Sequence, residues 1–225
     1  MSEPEQSAPL VTARTPSGGA EGFLAAHRKA WEFLGNSLLC LSAVVFNYIM
    51  LTDFLMRHRI SSLYVALFEG GVIVFAVTRP MPKEANGSLY DWLIALLGTY
   101  AIMLIRPAAD VNDHVALLVL QILGMAISLT GLLSLNHSFG LVAANRGVKS
   151  RGLYRIVRHP IYAGYFLSFG AFLLQNITLF NFLIYGVFVA LELLRIKAEE
   201  RVLSRDLGYA HYARRTRWRV LPLIY

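Results

Sequence analysis

The chain is short of cysteine, of charge and of nucleotide-binding glycine motifs. A single cysteine, Cys40, cannot form an internal disulfide, and its place in an apolar block suits a small packing residue. Only 16% of the 225 residues are charged against 56% hydrophobic, with a mean hydropathy of +0.52. That balance excludes an ordinary soluble domain. No glycine-rich loop follows a strand, so a dinucleotide or phosphate cradle of that kind is excluded. The six histidines (27, 58, 114, 137, 159 and 211) are too scattered to form a ligand cluster, and no metal is expected. Residues 1–20 are polar and rich in Pro, Ser and Gly with no apolar core, so no secretory signal is expected there and the stretch reads as a disordered tail.

What is present is apolar and comes in blocks: 31–56, 60–78, 89–105, 115–135, 161–174 and 177–194. Crossing a hydrocarbon core of ~30 Å takes roughly 20 helical residues, so the first four blocks suffice singly and the last two pair as a hairpin. Strands fit poorly, because a barrel would show short segments of alternating polarity. The expected fold is all-α: a polytopic membrane bundle of about six helices, closed by a short cytoplasmic C-terminal helix. Three regions follow: a tail over 1–28, a four-helix membrane region over 29–135, and 136–225 with a loop, the hairpin and a cytoplasmic tail.

The net charge of +7 raises nucleic acid as a partner, but the distribution of the charge answers differently. With the amino terminus in the cytoplasm and six crossings, eighteen Lys and Arg fall on the cytoplasmic side and three (Arg57, Arg59, Arg106) on the other. This is the positive-inside pattern of a multi-pass membrane protein with both termini cytoplasmic. Anionic lipid headgroups are the expected counter-charge for the basic tail, and no nucleic-acid reading module accompanies it.

His159 and Glu199 stand 40 residues apart. On one straight helix that would be roughly 60 Å, twice the bilayer core, so the chain must turn. Gln175-Asn176 is the polar break between them, and two arms of similar length return Glu199 to the face that holds His159. The same pair could also merely cap an ordinary loop. Pro160, favoured at a first helical position, places the start of the hairpin's first arm.

Arg158-His159-Pro160-Ile161-Tyr162-Ala163-Gly164 sets an imidazole, an aromatic ring and a point of close backbone approach on the first turn of a helix, where free N–H groups attract anions. Tyr154, Tyr162 and Tyr165 could stack on an adenine or face a cation, with Gly164 letting a ligand lie against the backbone. Such residues at a membrane boundary equally serve as interfacial anchors. Arg195 and Glu199, four apart, share a helix face, whereas Glu199 and Glu200 diverge, so only one glutamate need enter a site. A solvated helix end with an ordinary ion pair is the alternative.

From Ser138-Phe139-Gly140 to the carboxyl terminus, the order of Gly152-Leu153-Tyr154-Arg155, the Arg158–Gly164 run, Arg195 with Glu199-Glu200, Leu207-Gly208-Tyr209 and Tyr212 resembles the membrane-embedded isoprenylcysteine carboxyl methyltransferase and phospholipid methyltransferase superfamily. The resemblance implies S-adenosylmethionine as cofactor, held by Lys149, Tyr154, His159, Pro160, Ile161, Tyr162, Gly164 and Glu199 or Glu200. It puts Arg195 beside the acceptor, with Arg195 and Glu199 as the catalytic pair. The acceptor would be lipophilic, a carboxylate first, with a phospholipid amine or small thiol as alternatives. The membrane would be the inner one of a bacterium or the endoplasmic reticulum of a eukaryote. Related sterol reductases share an Arg-His-Pro run but are less similar. The competing class is a non-enzymatic scaffold or small transporter, kept open by Glu69, an ionisable residue in mid-span.

Overall fold

The structure is a computed structural model that describes residues 28–78, 89–109, 111–135 and 150–225. The expected tail over 1–28 and Lys149 therefore lie outside the described residues, apart from Arg28. Helices α1 (Arg28–Arg57), α2 (Ile60–Thr78), α3 (Leu89–Ile102) and α4 (Val115–Leu135) are followed by a 3-10 turn, Gly152–Arg155. Then come α5 (Pro160–Gln175), α6 (Leu179–Leu203) and α7 (Leu207–Arg215). The all-α expectation holds, and α7 is the expected short C-terminal helix.

Among the described residues, three helical segments are long and apolar enough to cross a membrane: Ser37–Arg57 within α1, and the whole of α4 and α6. Shorter apolar runs lie in α2 (Ile60–Val72) and α3 (Leu93–Ile102). These helices are apolar on their outer faces too, where Leu41, Val44, Leu133, Phe182 and Leu183 are exposed. A helix hydrophobic all round has lipid or protein as its solvent.

The core is built where α1, α2, α5 and α6 and the stretch after α3 converge on Phe46, Met50, Val65, Ile105, Phe169, Phe172 and Phe188. Two pairings frame it: α5 lies along α4, and α6 lies along α3. Small residues make the first pairing close. A Cβ on Gly124 would fall 2.5 Å from the Ser168 amide nitrogen and 2.7 Å from the Gly164 carbonyl oxygen. The Ser128 hydroxyl donates to the Ile161 carbonyl at 2.9 Å. Without a hydrophobic drive between helices in lipid, such backbone-to-backbone packing is what holds them.

The polar break at Gln175-Asn176 is more than a loop cap. Both side chains are buried. The Asn176 carbonyl oxygen Oδ1 accepts from Arg59 Nη1 and from the Ala108 amide, each at 2.9 Å, and Gln175 Nε2 donates to Gln121 Oε1 at 3.2 Å. Arg59 is in turn paired with buried Asp53. Thr178 caps α6 by accepting from the Asn181 amide at 3.0 Å. The hairpin turn is thus fastened to the ends of α1 and α3 and the start of α2, and the arms return together to the other end of the bundle.

That other end is tied down by the carboxyl-terminal tail. The amides of Arg158 and His159 donate to the carbonyls of Trp218 and Arg219 at 2.9 and 2.7 Å. The Tyr212 hydroxyl donates to the Tyr154 carbonyl at 2.7 Å. Gly152 opens the 3-10 turn at φ +62°, a conformation that disfavours any residue with a Cβ.

Candidate active site at the open end of the hairpin

Pro160 occupies the first position of α5, as expected, and leaves His159 just before the helix with a buried ring. Two consecutive glutamates from α6 meet that ring. His159 Nε2 lies 2.9 Å from Glu200 Oε1, and Nδ1 lies 3.5 Å from Glu199 Oε2. The expectation that only one glutamate need enter the site is corrected here. The two side chains diverge by the helical twist, yet the imidazole sits in the fork between them and engages both.

Each glutamate then reaches outward to its own partners. Glu199 Oε1 accepts from the Tyr162 hydroxyl at 2.5 Å and lies 3.7 Å from Arg195 Nε. Glu200 Oε1 accepts from the Tyr209 hydroxyl at 2.7 Å and pairs with Arg158 Nε at 3.0 Å. Arg195 stacks over the Tyr162 ring, 5.7 Å from its centroid, and its Nη1 is 3.6 Å from Glu192 Oε1. Arg195 and Glu199 side chains are 11% and 19% exposed, so a solvated helix end does not describe them.

Burial, the largest single influence on His159, favours the neutral ring. The hydrogen bonds and negative charge of Glu199 and Glu200 together outweigh it, and the imidazole's pKa is raised above its ordinary 6.5. Tyr209 is pushed up, first by burial and then by donating to the Glu200 carboxylate.

The residues expected to form the site divide into two groups. His159, Tyr162, Arg195, Glu199 and Glu200 form one connected cluster. Tyr154, Pro160, Ile161 and Gly164 instead seat α5 and the preceding turn against α4. Ile161 and Pro160 pack where a Cβ on Gly131 would stand, at 2.9 and 3.4 Å, and the Tyr154 hydroxyl reaches the Gly131 carbonyl at 3.4 Å. The close approach at Gly164 is to Gly124 and Ser128 of α4, which corrects the expectation that it opens the backbone to a ligand. Two members of the cluster carried no role from sequence. Tyr209 reaches Glu200 only because α7 folds back. Glu192 had a legible signal, since it lies three residues before Arg195 and seven before Glu199 and so shares their helix face.

The fold and this cluster define an integral membrane protein of helices with a buried acid, imidazole and guanidinium site at one end of a hairpin. Residues 115–205 match the model of the isoprenylcysteine carboxyl methyltransferase (ICMT) family, the family that the sequence motifs resemble. The match starts earlier than the motifs do, taking in all of α4, and ends before Leu207-Gly208-Tyr209. It supports a membrane methyltransferase. No curated protein matches the chain.

Proposed function

We propose that the protein transfers a methyl group from S-adenosylmethionine to a lipophilic acceptor. The observation that carries this reading is the fork of Glu199 and Glu200 around His159, made by two separated motifs within the segment that matches the family. The donor set suits the cofactor. Glu199 and Glu200 can take a cationic amino or sulfonium group, Tyr162 and Tyr209 offer aromatic faces, and Arg158 with His159 can take a carboxylate.

When bound, S-adenosylmethionine supplies a methyl on a sulfonium that is already an activated electrophile. The protein's task is then alignment and exclusion of water. Glu199 orients the Tyr162 hydroxyl, and Tyr162 in turn backs the Arg195 guanidinium, so the acceptor side of the site is set by groups that hold one another. A carboxylate acceptor, which the family's name suggests, needs no general base. It would meet Arg195 here, although that guanidinium already faces Glu192 and Glu199. The polar cofactor enters from the cytoplasmic side, where the basic residues gather, and the acceptor slides in from the lipid.

Calorimetric titration of the detergent-purified chain with S-adenosylhomocysteine tests the reading. Saturable binding that weakens at least tenfold in Glu199→Gln is expected. A wild-type protein giving neither heat nor a thermal shift overturns it. Labelled methyl incorporation into total lipid, small thiols and prenylcysteine analogues then identifies the acceptor.

A further inference from the structure

The polar face of α6 continues inward from the His159 cluster. Glu192 lies about two turns from Glu199, and Glu69, in the middle of α2, is close enough to interact with it electrostatically. Tyr165 of α5 stands with them, hydrogen-bonded to Glu69 and packed edge-on to Phe68 at 5.5 Å. Glu69 and Glu192 are only 3% and 4% exposed. Glu69 Oε1 and Glu192 Oε2 are buried with no hydrogen-bond partner. Gly98 of α3 provides the space for Glu192, because a Cβ there would stand 2.7 Å from Oε1.

Two acids from different helices thus each leave an oxygen unsatisfied in the interior of a membrane bundle. The Arg195 guanidinium lies 3.6 Å from Glu192 Oε1 and also serves Glu199. A buried acid with an oxygen left unsatisfied is expensive, and natural sequences retain one in a membrane span chiefly for function. The missing chemistry is positive charge with several N–H donors. An ammonium group supplies both, whereas a carboxylate or phosphate would add repulsion. The Tyr162 and Tyr165 rings suit a cation.

We infer that Glu69 and Glu192 form a binding site for the ammonium group of a membrane-partitioned amine. The inference names ligand chemistry at the inner end of the proposed methyl-transfer site, and it stands on the acid pair rather than on the cofactor.

The test uses the full chain in a neutral detergent, with dodecylamine as probe and dodecanol and dodecanoate as comparators. Dodecylamine should raise the unfolding temperature saturably, with at least tenfold weaker apparent affinity in Glu69→Gln and Glu192→Gln. Any shift from the comparators should not weaken in Glu69→Gln or Glu192→Gln. Without ligand, Glu69→Gln should be at least as heat-stable as wild type, because a buried acid with an unsatisfied oxygen has been removed. A comparator response that weakens as much as the amine's in these variants, an undiminished amine response in both, or a loss of unliganded stability in Glu69→Gln would overturn the inference. Gly98→Ala, which crowds Glu192 without removing charge, should also weaken the amine and keeps the test open if a Gln variant does not fold. S-Adenosylhomocysteine binding to wild type is measured in parallel. Its absence alongside an intact amine response removes only the methyl-transfer reading, and the converse removes only this inference.

Discussion

His159 carries more of the site than any other single residue, because both ring nitrogens face carboxylates. Its pKa is raised in the folded state, so its contribution to stability is complete below the unfolded value near 6.5 and is lost as pH climbs through the higher folded value. Wild-type thermal stability should therefore decline from pH 6 upward more steeply than that of His159→Gln, as scans across pH 5.5–9 would show. Equal slopes would mean that folding leaves the ring's pKa unshifted. Glu199 and Glu200 should separate by readout, since Glu199 reaches Tyr162 and Arg195 while Glu200 reaches Tyr209 and Arg158. Glu200→Gln should lower stability by about 1.5–3 kcal/mol through its charged hydrogen bonds, measurable by chemical denaturation in detergent.

At the scale of elements, the site depends on α5 being held by α4 at one end while the hairpin turn is pinned at the other. Gly164→Val would drive a branched side chain into the backbone of Gly124 and Ser128. We expect a loss of about 3 kcal/mol or more, with cofactor binding lost as well, since α5 carries Tyr162 away from Glu199 when it shifts. Thr178→Ala should be mild, costing about 1 kcal/mol for the lost cap of α6, with ligand binding retained. Both effects are read from thermal unfolding together with S-adenosylhomocysteine titration, and a mild Gly164→Val would refute the packing account.

Across the whole molecule, the two polar ends do different work. The turn end is closed and satisfied: Asp53 accepts from Arg57, Arg59 and Ser62, and Arg59 passes the connection on to Asn176. Removing Arg59 would leave Asp53 buried with much of its charge uncompensated. Arg59→Ala is therefore expected to cost about 3–5 kcal/mol, whereas replacing Asp53 and Arg59 together by apolar residues should cost much less. The opposite end, where Glu69 and Glu192 each keep a buried oxygen without a hydrogen-bond partner, is organised for something to be added.

The sequence by itself determined that this is a helical membrane protein, because composition and block length depend only on the solvent each residue needs. It also determined that the chain doubles back at Gln175-Asn176, since no straight helix of that length fits a bilayer, and that His159 and the glutamates share one end. Only the tertiary structure decided which neighbours those residues have. Gly164 reads as a ligand contact until α4 is seen against it. Tyr209 has no visible role until α7 folds back to Glu200, and Glu69 and Glu192 lie 123 residues apart with nothing local to link them. Periodicity reports which way a side chain faces on its own helix, and packing between helices alone says what it faces.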